Sequence, residues 1–438
     1  MLDDCTSVWT ASDGAMPKRI AWFRQPERSG SRSTDIRSIR ERLISSYTLE
    51  MAKKTPRGLK VRDVRSFLDE LLGEDLHAKR VLSIANGVAG VIHAAAASVH
   101  AIGRGLALAA GLEPRHAVKQ VDRLLSNSGV HVWELFADWV PFVLAERDEA
   151  LVALDWTEFD ADDQATIAAH LVSSHGRATP LVWKTVKKSE LEGNRNRFED
   201  EVVGRLVECA PPLTQIKITI IADRGFGDRK LYDGLDRTGL QYIIRFRECI
   251  LVEDENGTSK PAADWVPPNG RAALIGNAAV TNDRTRIPAV VVVKKKGMKE
   301  PWCLATNCDD LKAAEIINRY ARRFTIEESF RDTKNLHFGL GLSATHIGRP
   351  QRRDRLLFLI AIAQALLTLL GAAAEKIGLN RVMNTNTTKR RQYSLFSQGS
   401  FWYSAIPMMR QERLELLMTA FGEIVAQHAL FRRTFGVL

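Results

Sequence analysis

Cysteine is scarce in this chain: Cys5, Cys209, Cys249, Cys303 and Cys308 are all it has in 438 residues. The number is odd, no CxxC pair occurs, and Cys303 and Cys308 lack the second pair that a zinc site would need. Reduced thiols are the expectation. No phosphate-cradling GxxxxGKS or GxxxxGKT loop is present, which argues against P-loop nucleotide hydrolysis. Without an HExxH arrangement, His170 and His175 read as structural or surface residues. The start of the chain lacks an apolar core of the secretory type, and no internal repeat is evident. Long apolar runs are nearly absent too. Only 356–374, broken by Gln364 and Thr368, is long enough to span a bilayer. It is a single, alanine-rich candidate in a basic chain, so a helix buried against a sheet is expected and no membrane partner. Acid is in deficit: 52 Asp and Glu against 62 Lys and Arg, a net charge of +10. That excess favours a polyanionic partner, nucleic acid before membrane.

What is present falls into blocks. Residues 1–50 are polar, rich in Ser and Arg, and without periodicity, so they are expected to be disordered or a mis-called extension preceding a natural start at Met51. The stretch 16–66 is basic and suits either DNA phosphates or solvent. Residues 51–146 read as a helical domain: Asp63 caps a helix stopping at Gly73, and an alanine-rich stretch follows from Ala78 to about Gly111. Pro114 then suits a first helical turn. Arg115, Lys119 and Arg123, four apart, line one face of that helix against Val118, Val121, Leu124 and Leu125 on the other. Such a helix fits a DNA groove, but taken by itself it reads first as a solvated face on a bundle helix.

After residue 147 the pattern turns to strands. ALVALD (150–155) is an apolar run ending in Asp155, and ATIAAHLV and PLVWKTV read as a hairpin. A helix over 194–209 stops at Pro211 and Pro212. IKITIIAD (216–223) is a second buried strand ending in Asp223, and LQYIIRF (240–246) a further one. Strand-like pieces fill 248–310, read as a β-rich insertion. Helix resumes near Asp310 and continues to about Lys334, and an amphipathic helix is expected over 409–432.

Two strands ending in Asp would put two carboxylates at one sheet edge, where α/β folds bind ligands and where Mg²⁺ finds hard oxygen donors. Strand-ending Asp residues also make ordinary turns. Asp155 is preferred to Glu158 or Asp160, and Asp223 to Asp228, because each directly ends its apolar run. On one continuous helix Tyr320, Arg323, Glu327 and Lys334 fall at roughly 0°, 300°, 340° and 320°, while Glu328 lies near 80°. A stripe of one acid, two cations and a phenol is not a core stripe. It suits a metal ligand flanked by phosphate-holding groups, although Arg323 and Glu327 could also be an exposed i, i+4 pair.

These four residues match the Y-(2)-R-(3)-E-(6)-K signature of a large family of bacterial insertion-sequence transposases within the DDE superfamily. The chain resembles that family over roughly 75–375: Asp155 in ALDWTEF, Asp223 in IIADRGFGD, a β-rich insertion, then the Glu helix. The segment HAVKQVDRLLSN resembles its DNA-binding region. The resemblance implies an α/β fold, an RNase H-like mixed sheet flanked by helices and interrupted by the insertion, with a helical N-terminal DNA-binding domain. The implied organisation is a catalytic domain over 147–247 and 311–375, an insertion over 248–310 and a helical tail over 376–438 with a possible oligomerisation role. It further implies that Asp155, Asp223 and Glu327 bind two Mg²⁺ ions, with Mn²⁺ as substitute. The activity implied is cutting of element ends and joining of 3′ ends to target DNA. Arg323 and Lys334 would hold phosphates, Tyr320 would orient one, and Trp302, before Trp265, would stack a flipped base. The implied partners are double-stranded DNA and a second copy of the chain, in a bacterial cytoplasm at the nucleoid. The rival readings are an inactive or domesticated DNA-binding protein of transposon origin and a metal-dependent nuclease without strand transfer.

Overall fold

A computed structural model describes residues 59–426, apart from 146, 174–175, 228, 281–283, 338, 386 and 389–390. The expected extension 1–50, most of the basic stretch 16–66, His175, Asp228 and the end of the helix expected over 409–432 lie outside the described residues. Within them the chain divides into two compact units, 59–216 with 323–426, and 217–322. The cuts fall away from the expected insertion boundaries at 247/248 and 310/311, for a reason that lies in strand pairing, below.

The larger unit begins with five helices: Val61–Leu72, Ala78–Ala94, Val99–Ala110, Pro114–Ser126 and Val132–Leu144. Two details differ from expectation. Lys60, not Asp63, caps the first helix, and the Asp63 carboxylate accepts the Lys60 N–H at 2.8 Å. The alanine-rich stretch is two helices bent by 96°, because Ala95 turns left-handed (φ 47°) and Ser98 caps the second with a side-chain acceptor. Gly103 lets that second helix press on the next one, since a Cβ there would lie 2.5 Å from the Val118 Cα. Strands β1 (Glu149–Phe159), β2 (Gln164–Val172) and β3 (Ala178–Lys187) form an antiparallel meander in the order β3-β2-β1, with Asp155 opposite Ala168. Every residue of β2 is buried, as a strand covered on both faces requires. Trp139 fastens its helix to β3 through an Nε1 hydrogen bond to the Pro180 carbonyl, 2.9 Å.

Helix Pro350–Lys376 contains the apolar run and is buried over most of its length among β3 and its neighbouring helices. It is long and apolar enough to cross a membrane, but 83% of its most apolar window is buried inside the protein, as the sequence leads one to expect. Its tightest crossing, on helix Leu395–Ala405, needs glycine on both sides. A Cβ on Gly371 would sit 1.9 Å from the Leu395 carbonyl oxygen, and one on Gly399 1.8 Å from that of Leu367. Helix Gln411–Ala426 ends the described chain.

The smaller unit carries seven strands: β4 (Lys217–Ala222), β5 (Gln241–Phe246), β6 (Leu251–Glu253), β7 (Ser259–Pro261), β8 (Ala273–Val280), β9 (Thr285–Val293) and β10 (Trp302–Thr306). Their order is β4-β5-β10-β9-β8-β6-β7. β4 and β5 are parallel, joined through helix Arg229–Thr238, and β10 then runs antiparallel to both β5 and β9. The segment expected as a separate insertion is thus continuous with β5 through its last strand, which is why no compact boundary falls at 247. Cys209, Cys303 and Cys308 are free and buried.

The expected single helix over 310–334 is two, Ala313–Ala321 and Phe324–Lys334. The first helix tightens at its end, where the Arg322 N–H reaches back to the Arg319 carbonyl at 3.1 Å, and the next begins at Arg323. Tyr320 therefore does not share a continuous helical stripe with Arg323, Glu327 and Lys334.

Candidate active site

In the larger unit, Asp155 sits inside β1 and not at its end. Strand pairing continues past it, Thr157 opposite Thr166 and Glu158 opposite Ala165, to Phe159. Both Asp155 oxygens are engaged: Oδ1 accepts the Trp156 N–H at 2.8 Å and Oδ2 accepts Arg323 Nη1 at 3.2 Å. Arg323 is 5% exposed, and its Nη2 reaches Glu327 Oε1 at 2.7 Å. One buried guanidinium thus gathers a strand carboxylate and a helix carboxylate that are 172 positions apart in the sequence. Glu327 keeps about half of its side chain exposed (49%), so its remaining oxygen faces an open groove. Asp155, Trp156, Glu327, Phe330, Lys334 and Ser343 are among the groove's lining residues.

Lys334, in the last turn of the Glu327 helix, donates to Thr157 Oγ1 at 3.1 Å and to the Glu158 carbonyl at 2.6 Å. Its ammonium lies 4.9 Å from the centre of the Phe159 ring. Burial holds its pKa below the usual lysine range, against the pull of Asp160 and Glu158. The rival acids have other partners. Glu158 and Asp160 both bind Lys188, which also holds Asp160 below the ordinary carboxylate range. Glu328 turns to Arg331 and Arg177.

In the smaller unit, Asp223 directly follows β4, where the apolar run predicts it. Its Oδ1 accepts the Arg224 N–H at 2.7 Å and the Tyr320 hydroxyl at 3.3 Å. Arg245 from β5 approaches the same oxygen at 3.9 Å and is tied to Glu300 at 2.8 Å, which also holds Arg224 at 3.2 Å. Trp302 is half-buried, its ring edge-on to that of Tyr320 with centroids 4.9 Å apart. Trp265 is fastened to the Val252 carbonyl through Nε1 and lies beneath Lys260.

Arg115, Lys119 and Arg123 are all exposed along one face of their helix, while Ala117, Val121, Leu124 and Leu125 are buried on the other. His170 is a core residue, buried beside Phe330 and pushed by desolvation to a pKa of about 3. Sequence reasoning missed Arg245, Glu300 and the Thr157–Glu158 seat for Lys334. Their roles arise from strand pairing and helix packing, which no local pattern displays.

Among the described residues no group of three His, Cys, Asp or Glu side chains is gathered as a metal site. The donor chemistry nevertheless fits a hard cation. Within the larger unit, Asp155 and Glu327 offer carboxylate oxygens alone and already close on a positive charge, the Arg323 guanidinium. A family model described as a transposase DDE domain matches residues 147–366, half of the chain, spanning all three carboxylates. No curated protein matches the sequence.

Proposed function

The chain belongs to the DDE transposase family, and from that premise we propose that it binds the ends of a mobile DNA element, cuts them, and joins the freed 3′ ends to target DNA. The observation that carries this reading is the convergence of Asp155 and Glu327 on buried Arg323 beside an open groove. In it, the fold is RNase H-like and Tyr320, Arg323, Glu327 and Lys334 act as the Y-(2)-R-(3)-E-(6)-K set. Asp155, Asp223 and Glu327 would hold two divalent cations, Mg²⁺ with Mn²⁺ as substitute. When bound, these supply activation of a water or 3′-hydroxyl and stabilisation of the leaving oxygen.

The other tasks fall to the chain's own groups. Arg323 offers a planar fork to a phosphate, and Lys334 a point charge fixed beside the groove. Tyr320 would turn its hydroxyl, which otherwise donates to Asp223, to a backbone phosphate. Trp302 stacks a flipped base, with its ring presented at the start of β10. Arg115, Lys119 and Arg123 contact the duplex outside the cut, in a helical domain over 51–146. A homodimer on paired element ends, at the bacterial nucleoid, completes the reading.

The test is cleavage and strand transfer with Mg²⁺ on the DNA flanking this reading frame. Glu327→Gln should abolish both reactions and leave DNA binding intact. Equal activity in the variant overturns the assignment.

A further inference from the structure

The grip of Arg323 on the two acids has a consequence for the order of events at the site. Asp155 has both oxygens engaged, Oδ1 by the Trp156 N–H and Oδ2 by Arg323 Nη1. The first donor belongs to the backbone of β1 and is fixed by its ladder. The second is the tip of a long side chain and can swing away. A divalent ion taking Asp155 and Glu327 as ligands competes with the guanidinium for Asp155 Oδ2 and, even on the open oxygen of Glu327, stands beside the cation that holds Oε1. A divalent ion brought onto the same two carboxylates as the Arg323 guanidinium, itself only 5% exposed, is repelled by it, because little water screens the buried guanidinium.

We propose that Arg323 is a displaceable stand-in for the divalent cation: metal binding expels its guanidinium from Asp155 and Glu327 and so delivers it to a DNA phosphate. This rests on reading those two acids as metal ligands. Without the cation, Arg323 offsets the repulsion between the two carboxylates and keeps them poised. With the cation in place, the same guanidinium needs a new anion, and the phosphate backbone is the anion the groove receives. Metal loading and phosphate gripping thereby become one step, and a phosphate is not gripped at a site that cannot cut it. No covalent bond is made or broken in the exchange.

The test is Mn²⁺ titration of the full chain, without DNA, followed by the electron paramagnetic resonance of free Mn²⁺. Arg323→Gln should bind Mn²⁺ about ten-fold tighter than wild type, the loss of one charge-assisted competitor. Arg323→Lys should fall between them, and Glu327→Gln should lose binding by at least about ten-fold. Unchanged or weaker affinity in Arg323→Gln, with binding lost in Glu327→Gln, overturns the exchange and leaves the metal-site reading standing. Unchanged affinity in Glu327→Gln overturns that reading itself. Wild type gives a second readout that survives any folding defect in the variants. Phenylglyoxal, an arginine reagent, should modify Arg323 slowly without Mn²⁺ and much faster with it, while Arg353, fully buried against Asp162, stays protected in both. Equal protection of Arg323 in the two conditions overturns the proposal.

Discussion

Lys334 Nζ donates into the Glu158 carbonyl at 2.6 Å, so the last turn of the Glu327 helix is fastened to β1 three residues beyond Asp155. The bond fixes the distance between helix and strand on the side where the groove opens. It also uses a cation that burial makes costly, since the Lys334 ammonium titrates below the usual lysine range. Lys334→Met keeps the stem over Phe159 and removes the charge. Single-turnover cleavage should then fall by about 10- to 100-fold, the loss of one or two charge-assisted hydrogen bonds. Lys334→Arg should not rescue it, because a rigid fork does not fit two acceptors set for a point charge. Full activity in Lys334→Met would remove Lys334 from the site, and full activity in Lys334→Arg would overturn the point-charge geometry.

Gly103 decides how closely the helix Val99–Ala110 approaches Pro114–Ser126. An added Cβ would meet Val118 backbone atoms at 2.5 and 2.8 Å, and backbone has nowhere to yield without separating the helices. Gly103→Ala should cost about 1–3 kcal/mol of stability in denaturant melts. It should also weaken DNA binding by misplacing the next helix. Arg115→Ala, Lys119→Ala and Arg123→Ala touch exposed side chains, so stability should hold within about 0.5 kcal/mol. If these residues contact phosphates, each replacement should reduce the slope of log affinity against log salt by about one. An unchanged slope would return that face to solvent.

The sequence displays what is local. Asp223 is legible because IKITIIA is a run rich in β-branched residues, apolar over its last three, and β4 ends at Ala222 directly before it. The basic face of Pro114–Ser126 is legible because helical period alone sorts Arg115, Lys119 and Arg123 from Val121 and Leu125. Asp155 looks like a strand end because Trp156, Thr157 and Glu158 break the apolar run. Only their pairing with β2 shows that the strand goes on. The helix break at Arg322–Arg323 is hidden for a similar reason, since nothing in RYARRFT lowers helix propensity enough to mark it. A continuous stripe would group Tyr320 with Glu327, but the chain forms two helices there. The residues themselves still lie beside carboxylates, Tyr320 on Asp223 and Glu327 with Asp155 through Arg323. Arg245 and Glu300 are 55 positions apart and meet only because β10 pairs with β5.

His170 links acid sensitivity to the core of the larger unit. Its pKa is near 3 in the folded protein and about 6.5 when exposed, so the unfolded chain binds more protons between those values. The stability it allows is present above pH 6.5 and is lost as pH falls toward 3, with a slope of up to about 1.4 kcal/mol per unit. His170→Leu should flatten that slope by about one proton, read from denaturant midpoints at pH 4, 5, 6 and 7. Parallel curves for variant and wild type would show that His170 is already charged in the fold.

Arg353 is fully buried, with Nη2 on Asp162 and Nε on Gln164 Oε1 at 2.7 Å, and its guanidinium carbon 3.8 Å from the centre of the Phe159 ring. Asp162 also accepts the Ile347 N–H at 3.0 Å, and Gln164 donates to the Ile347 carbonyl at 2.7 Å. The pair therefore ties the start of helix Pro350–Lys376 to the turn between β1 and β2. The Phe159 ring on which Arg353 lies is the one that Lys334 also faces. Removing one charge leaves the other buried and uncompensated, so Arg353→Met should cost about 3–5 kcal/mol, and Asp162→Asn somewhat less because an amide still accepts hydrogen bonds. Removing both in Asp162→Asn with Arg353→Met should recover part of that loss, since neither charge then remains unpaired. A double-mutant cycle in denaturant melts reads the coupling directly. Additive losses would mean that Asp162 and Arg353 act through separate partners, Ile347 for the acid and Phe159 for the base.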